Sequence, residues 1–222
     1  MGHEAGNSSP KVRALVPKDA ASVIVIDRSG ATPRLLMGRR RADLAFLAGK
    51  YVFPGGRVDA ADKSAPAAIN PSDETIAALL RGMRGRPSRH RARALVIAAA
   101  RELYEEAGYA LGQPSSPDLS RLNYFARAIT PPARTRRYDT RFFLADARHA
   151  IRGHHHGDGE LLDLAWLSLD EIGRLDLPGI TRLLLSDIAT QLIAAPTDTQ
   201  TGAKPPIPFY YQRSGIQHRT LL

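Results

Sequence analysis

The sequence predicts an α+β protein, and three observations support this prediction. Residues 21–27 and 34–39 are apolar runs rich in Val, Ile and Leu, joined by a turn that contains glycine and proline, which is the pattern of a β-hairpin. Residues 88–107 place apolar side chains at helical spacing and stop at a glycine, as a long helix does. Residues 181–195 show another helical stripe of Leu and Ile, typical of a helix packed on a core.

The remaining elements follow from shorter patterns. Residues 122–129 and 138–145 predict two strands, joined by a turn whose prolines and arginines make it too rigid and charged for a core. A short helix is predicted at 170–174. Inside a proline-rich stretch at 63–87, residues 72–80 predict a helix that begins with Ser and acidic residues.

Composition sets the class of protein. The chain has 222 residues, of which 43% are hydrophobic and 24% charged, values that are ordinary for a globular protein with a substantial core. The absence of cysteine excludes disulfides, thiol catalysis and zinc–thiolate sites. No apolar run approaches the roughly 18 residues of a membrane helix, and no apolar signal segment stands at the N-terminus. We therefore expect a cytoplasmic protein without a membrane partner.

The charge predicts the kind of ligand. Thirty-one basic residues against 22 acidic ones give a formal net charge of +9, which favours polyanions such as nucleotides, although an arginine-rich composition without a specific role is an equal alternative. Aromatic residues make up only 6%, too few for a platform that stacks single-stranded RNA. The expected partner is a phosphorylated small molecule rather than nucleic acid, and a homodimer is left open.

Three glutamates on the long helix are the candidate reactive groups. Glu102, Glu105 and Glu106 stand at i, i+3 and i+4, so their carboxylates share one helix face. Like charges at this spacing cost roughly 0.2–0.5 kcal/mol per pair, a cost that Mg²⁺ or Mn²⁺ would remove. Alone, this pattern also fits a solvated helix face. The upstream Gly55–Gly56 turn, where backbone can approach a ligand closely, favours a site.

The motif Phe53-Pro54-Gly55-Gly56, followed by Arg101-Glu102-Leu103-x-Glu105-Glu106-x-Gly108-Tyr109, resembles the signature of the Nudix hydrolases, which cleave diphosphate linkages in nucleoside diphosphate derivatives. The resemblance extends loosely over residues 22–185. It implies a Nudix-like mixed β-sheet sandwiched between helices, an α/β/α arrangement with a helical insertion inside the signature box. It also implies a domain at 21–195, flanked by a flexible tail at 1–20 and an extension at 196–222 that packs on the domain.

Two departures from this signature are informative. Asp62 stands where the family has Glu, and 38 residues separate it from Arg101 where the family has seven. Such a split box resembles the branch related to the peroxisomal coenzyme A diphosphatases, although the terminal Arg-Thr-Leu-Leu is not a peroxisomal address. Because Asp is about one methylene shorter than Glu, a water-bridged contact or an arginine partner is as plausible for Asp62 as direct metal coordination.

The resemblance implies roles for individual residues. Glu105 and Glu106 hold Mg²⁺ or Mn²⁺ with the Gly55 carbonyl, Glu102 accepts the proton of water or takes a metal, and Arg101 orients Glu105. Glu160 is the candidate for one further carboxylate at the metal. The candidate contacts to substrate are Gly56 and four arginines, Arg39, Arg40, Arg137 and Arg141.

The sequence leaves several alternatives open. Coenzyme A or an acyl derivative is the first substrate hypothesis, followed by a nucleoside diphosphate sugar or a dinucleotide. A Nudix-like module that binds a nucleotide without cleaving it is the rival from another class. The helix at 72–80 is either a lid or purely structural. Arginines crowd the first turns of the long helix at 89–93 and need a negative partner. His154–His156 are expected in an exposed loop rather than a metal site.

Overall fold

The computed structural model describes residues 15–132, 134–153, 157–194 and 206–222. The helices in these residues are α1 (Asp73–Arg81), α2 (Arg89–Ala107), α3 (Leu169–Gly173) and α4 (Gly179–Ala194). The strands are β1 (Lys18–Asp27), β2 (Arg34–Arg40), β3 (Tyr51–Val52), β4 (Gly55–Arg57), β5 (Tyr109–Gln113), β6 (Ser116–Pro117), β7 (Asn123–Ile129), β8 (Tyr138–Asp146), β9 (Ala150–Arg152), β10 (Leu161–Ser168), β11 (Pro208–Arg213) and β12 (Ile216–Leu221). The predicted histidine loop at 154–156 lies outside the described residues, as do residues 1–14 of the predicted tail and 196–205 of the predicted extension.

A mixed sheet forms the centre of the molecule. Within the described residues it joins nine strands in the order β10-β2-β1-β8-β7-β11-β12, with β3 beside β2 and β4 beside β1. The pairs β1–β8 and β7–β11 are parallel, and the other pairs are antiparallel. Strands β6, β5 and β9 form a smaller sheet beside it.

Helices cover both faces of the main sheet. One buried cluster joins α1 and α2 to Val23, Val25 and Phe143, and a second joins α3 and α4 to Ile24, Ile26 and Phe142. Strand β1 is buried on both faces, which explains why its sequence is a continuous apolar run instead of an alternating one. The predicted α+β fold with an α/β/α sandwich is therefore confirmed, although β1 begins three residues earlier than the predicted strand at 21–27.

Helix α2 has the ends that its sequence predicts. The Ser88 hydroxyl accepts the Arg91 N–H at the start, and Gly108 closes the other end in the left-handed conformation with φ 72°. Acidic or amide side chains from neighbouring elements bind the arginines of the first turns, as the pairs Arg89–Asp73, Arg91–Asp19 and Arg93–Asn70 show. The protein itself therefore supplies the negative partners that these turns need.

The helix of the insertion packs on the N-terminal half of α2. Helix α1 is capped by the Ser72 hydroxyl and buries Ile76 and Leu79 in the cluster it shares with α2. Its Asp73 contacts the first turn of α2, whereas Glu102 lies about 13 residues further along that helix, roughly 20 Å along its axis. Of the two alternatives for this segment, these contacts favour the structural one over a lid above the glutamates.

The last described residues extend the sheet. Strands β11 and β12 form a hairpin, and β11 runs parallel to β7, with Phe209 opposite Arg127 and Tyr210 opposite Ala128. The Arg127 guanidinium lies over the Phe209 ring at 4.5 Å from its centroid. None of the helices in the described residues is both long enough and apolar enough to cross a bilayer.

Candidate active site

The two halves of the split motif meet at the C-terminal half of α2. The N–H of Gly55 donates a hydrogen bond of 2.7 Å to Oε2 of Glu106. Strand β4 pairs with β1 so that Gly56 lies opposite Ala21 and Gly55 opposite Ser22. The Val23 N–H donates to the Pro54 carbonyl, and the Val58 N–H donates to the Asp19 carbonyl. With this pattern, Gly56 and Ala21 form a hydrogen-bonded pair of the antiparallel ladder, whereas Gly55 and Ser22 form a non-hydrogen-bonded pair. Both backbone groups of Gly55 therefore point away from β1, and its carbonyl lies on the same edge as its N–H.

Gly56 is required by the close approach of a carboxylate. A Cβ atom built at this position would overlap the carboxylate of Glu102. A Cβ at Gly55 would lie 2.6 Å from the Ala21 carbonyl oxygen. The two glycines therefore allow β4 to lie closer to β1 and to the Glu102 carboxylate of α2 than residues with a side chain would allow.

Arg101 organises the acidic groups around it. Its Nε and Nη2 donate to the two carboxylate oxygens of Asp62, at 2.9 and 3.1 Å. Its Nη1 donates to Glu102 Oε1 and to Glu105 Oε2, each at 2.7 Å. The predicted i,i+4 pair of Arg101 with Glu105 is thus present. Because Asp62 is 1% exposed and holds Arg101 bidentately, the arginine-partner alternative for Asp62 is the one the structure shows.

Burial sets the protonation of the two inner glutamates. Glu106 is 2% exposed, and burial raises the pKa of its carboxyl to about 8, an effect that the Gly55 N–H opposes. Burial likewise raises the pKa of Glu102 to about 7, against the opposing charge of Arg101. The carboxylates of Glu102 and Glu160 also raise the pKa of Glu106, which shows that the three groups share one electrostatic environment.

Arg40 and Glu160 complete this environment. Nη1 of Arg40 lies 3.6 Å from Oε1 of Glu106, and Nη2 lies 3.2 Å from Oε2 of Glu160. The structure therefore brings Gly55, Glu102, Glu105, Glu106 and Glu160 together with Gly56, Arg40 and Arg101, all of which the sequence picked out.

Sequence reasoning picked out Glu160 but missed the backbone contacts that position it near the end of α2. The N–H of Gly153 donates to the Gly108 carbonyl at 2.8 Å, and the N–H of Asp158 donates to the Glu105 carbonyl at 2.7 Å. Gly157 has φ 83°, and a Cβ there would lie 2.6 Å from the Glu106 carbonyl oxygen. These bonds satisfy carbonyls at the end of α2 and place Gly153 and residues 157–160, the docked segment, against it. The abundance of glycine was a signal, but it also fits an exposed loop.

Three of the predicted substrate arginines have partners outside the glutamate group, and the prediction for the buried Arg141 is wrong. Arg39 forms an ion pair with Asp163 at 2.7 Å. Arg137 donates to the carbonyls of Thr130 and Leu15. Arg141 is 1% exposed and bonds the Asp139 carbonyl at 2.7 Å. Local charge patterns cannot distinguish an arginine that pairs within the fold from one that faces a ligand.

Arg141 belongs to a buried ionic cluster outside the glutamate group. Its guanidinium also contacts Asp19, which binds Arg91 near the start of α2, and the Asp139 carboxylate holds Arg127 bidentately at 2.7 Å. Arg91 precedes Glu102 by 11 residues, about 16 Å along the helix axis. These charges stabilise the contact between α2 and the sheet and leave Arg141 no exposed surface for a substrate.

The donor chemistry fits a hard divalent cation. Four carboxylates and a peptide carbonyl are oxygen ligands of the kind that Mg²⁺ and Mn²⁺ prefer. Within the part of the chain that the structure describes, no group of three acidic or histidine side chains is arranged to hold a metal ion as it stands. The contacts explain this, because Arg101 binds Glu102 and Glu105 while Arg40 binds Glu106 and Glu160. Guanidinium groups thus neutralise the carboxylates that a cation would need.

Comparison with solved structures identifies the fold. A NUDIX hydrolase from Alicyclobacillus acidocaldarius is 25% identical in sequence, with a TM-score of 0.60 over 79% of this chain and 92% of that chain. The NUDIX domain of Shewanella oneidensis NrtR, solved with ADP ribose, is 12% identical, with a TM-score of 0.52 over 84% of this chain and 94% of that one. The MutT protein from Bacillus halodurans is also 12% identical, with a TM-score of 0.50 over 92% and 97% of the two chains. The sequence matches no family model and no curated protein.

Fold and site together resemble those of the Nudix hydrolases. The sheet, the helix layers and the similarity to solved Nudix hydrolases give the fold. Glu102 and Glu106 lie beside the diglycine turn, and Glu105 is joined to Glu102 through Arg101. The neighbours support a hydrolase of diphosphate linkages, and Nudix hydrolases generally use divalent metals.

Proposed function

We propose that this protein is a Mg²⁺- or Mn²⁺-dependent hydrolase that cleaves the diphosphate linkage of coenzyme A or an acyl-coenzyme A, or of a related nucleoside diphosphate derivative. The observation that carries the proposal is the hydrogen bond of 2.7 Å from the Gly55 N–H to Glu106. This hydrogen bond holds the diglycine turn against α2, although 38 residues separate Asp62 from Arg101 in the sequence. The split box alone supports coenzyme A as the first substrate.

The proposed roles follow from the contacts. Glu105, Glu106 and the Gly55 carbonyl hold the cation, with Glu160 as a further ligand from its docked segment. A bound divalent cation would neutralise charge on the diphosphate oxygens and make a water molecule more acidic. Glu102 accepts the proton of that water or joins the ligands. Arg101 and Asp62 act as positioning residues, because their bidentate pair fixes the guanidinium that orients Glu102 and Glu105.

The charge of the protein supports a substrate with several phosphates. A net charge of +9 attracts polyanions over a range of about one Debye length, roughly 8–10 Å at physiological salt. Coenzyme A, nucleoside diphosphate sugars and dinucleotides all carry such charge on a nucleoside diphosphate. Arg40 is the predicted substrate arginine that the structure places beside the glutamates.

A product analysis tests this proposal. The protein is incubated with coenzyme A, an acyl-coenzyme A, a nucleoside diphosphate sugar and a dinucleotide, with and without Mg²⁺ or Mn²⁺, and the products are identified by mass. We expect metal-dependent cleavage within the diphosphate, which for coenzyme A yields an adenosine bisphosphate and phosphopantetheine. If none of these compounds is hydrolysed in the presence of either metal, the proposal is contradicted.

Two conservative variants test the residue roles. Glu105→Gln and Glu106→Gln keep the side-chain shape but remove a charge, and we expect kcat to fall by roughly 10²-fold or more, the order that losing one electrostatic group in a site costs. Glu171→Gln is the matched control, because Glu171 only closes the capping box of α3, a role that Gln also fills. Full turnover by Glu106→Gln excludes the metal role assigned to Glu106.

A binding module without turnover is the second candidate. The pairing of all four carboxylates with arginines favours it, as does the fold similarity to a NUDIX domain solved with ADP ribose. Titration calorimetry with the same compounds separates the two functions. Tight binding of one compound that is recovered intact after long incubation with Mg²⁺ supports the module, whereas product formation supports the enzyme.

A further inference from the structure

Arg40 occupies a special position among the arginines of β2. Leu35 and Met37 point to the α3–α4 side of the sheet and Leu36 to the α2 side, so Arg40 points toward α2 and Arg39 points the other way. The Arg40 Nε donates to the Phe46 carbonyl at 3.0 Å, which anchors the guanidinium. Only 14% of the Arg40 side chain is exposed. The strand therefore delivers one fixed, partly buried positive charge to the glutamates.

This charge connects two segments that are distant in sequence. One terminal nitrogen faces Glu106 of α2 at 3.6 Å, and the other faces Glu160 of the docked segment at 3.2 Å. Glu106 is almost fully buried, and its second oxygen already accepts the Gly55 N–H. Arg40 is thus the side chain that balances the remaining oxygen of Glu106 while holding Glu160 beside it.

We propose that Arg40 is the resident countercharge of the metal site, holding Glu106 and Glu160 in the cation-free protein and competing with the divalent cation for them. This inference depends on the proposed function, in which these carboxylates bind a cation. A guanidinium stays protonated at every working pH, so it cannot relieve its repulsion of an incoming cation by losing a proton. Cation binding therefore requires the Arg40 guanidinium to move off these carboxylates, and Arg40 sets the affinity of the site.

Titration calorimetry with Mg²⁺ alone tests the competition. Wild-type protein, Arg40→Met and Arg39→Met are compared in alkaline buffer, where the glutamates are ionised. Removing a positive charge a few ångströms from the cation should tighten Mg²⁺ binding of Arg40→Met by about tenfold or more. Arg39→Met removes the same charge on the opposite face, where Asp163 is the partner, and should change the affinity by less than about twofold because water and salt screen it. Equal or weaker binding by Arg40→Met overturns the proposal.

A second measurement follows Arg40 in the wild-type protein, so that the test does not depend on the folding of Arg40→Met. The Nε–H signal of Arg40 is assigned by its absence in Arg40→Lys and followed by nuclear magnetic resonance during a Mg²⁺ titration. Displacement of the guanidinium predicts a shift of this signal that saturates with the metal. An unchanged signal at saturating Mg²⁺ overturns the proposal.

The same titrations separate this inference from the proposed function. If wild-type protein binds Mg²⁺ no better than Glu106→Gln does, the metal site itself is wrong, and with it the proposed function. If Glu106→Gln abolishes Mg²⁺ binding but Arg40→Met binds Mg²⁺ no more tightly than wild type, the metal site is supported and the proposed role of Arg40 is wrong.

Discussion

Single residues hold this site together through very short-range contacts. Gly56 leaves room for the Glu102 carboxylate, Gly55 donates to Glu106, and Asp62 holds Arg101 through two hydrogen bonds. Each contact needs one particular residue, because the atoms involved are already at van der Waals or hydrogen-bond distance. At this scale, small substitutions should therefore have large effects on activity and distinguishable effects on stability.

Gly56→Ala should disable the site while the protein remains folded. The added methyl overlaps the Glu102 carboxylate, which must turn away from its position beside the diglycine. We expect kcat to fall by about 10²-fold, the scale of a misplaced catalytic group. Gly30→Ala is the control, since a Cβ there meets nothing closer than 3.9 Å. Steady-state kinetics and circular dichroism of both variants check this, and normal turnover by Gly56→Ala contradicts it.

Asp62→Asn should lower both stability and activity. Asp62 is buried, and its loss leaves the Arg101 guanidinium partly buried without its bidentate partner. We expect the free energy of unfolding to fall by about 2–3 kcal/mol, less than for a fully buried pair because Arg101 is partly exposed. Urea denaturation measures this. Asp59→Asn, which loses only an exposed pair with Arg57, should change stability by less than about 1 kcal/mol, and an equal loss in both variants speaks against the argument.

At the scale of elements, the site depends on where α2 ends and what docks there. The αL glycine Gly108 caps the helix two residues after Glu106, the Gly153 N–H binds the Gly108 carbonyl, and the Asp158 N–H binds the Glu105 carbonyl in the last turn. The insertion lies at the other end of the same helix, where α1 covers apolar surface near Arg89. The N-terminal end of α2 therefore contributes to stability, and its C-terminal end carries the candidate reactive carboxylates.

Leu79→Ala therefore tests the structural role of the insertion. Leu79 is 1% exposed within the α1–α2 cluster, so its truncation should cost about 2–5 kcal/mol of unfolding free energy. The kcat of the folded fraction, measured well below the melting temperature, should stay within about twofold of wild type because α1 does not reach the glutamates. Leu80→Ala, at a partly exposed neighbour, is the milder control. A large drop in kcat without loss of stability restores the lid hypothesis.

At the scale of the whole molecule, ligand binding and folding are linked through the glutamate group. Buried carboxylates with raised pKa values are costly in the cation-free protein, and a bound cation stabilises the native state without a counterpart in the unfolded chain. A free cation concentration of about 100 times Kd adds about 2.7 kcal/mol to the free energy of unfolding. For a chain of this size, this predicts a rise in Tm of roughly 5–10 °C.

Differential scanning calorimetry with added Mg²⁺ checks this expectation. Glu106→Gln should show a much smaller rise, since it loses one ligand, while Glu171→Gln should behave like wild type. A rise of the same size in Glu106→Gln would mean that Mg²⁺ stabilises the protein somewhere else.

Motif residues close together in sequence could be predicted well, and those that depend on distant partners could not. The helical spacing of Glu102, Glu105 and Glu106 needs only the period of α2, and the Arg101–Glu105 pair follows from the same spacing. The partners of Arg39 and Arg141 could not be predicted because they come from other elements. Arg141 is matched by Asp19, 122 residues away, and Arg39 by Asp163, 124 residues away. No local pattern contains that information.

The sequence by itself determined the α+β class, the caps of α2 and the carboxylate face with its diglycine turn, because these depend on periodicity and on the conformations that glycine permits, whereas the layered arrangement was implied by the family resemblance. Only the tertiary structure decided that Asp62 serves Arg101, that Arg40 rather than Arg39 faces the glutamates, and that Glu160 reaches them on a segment docked against the end of α2. The physical reason is that charge pairing acts through space and selects its partners only once the strands and helices have been packed.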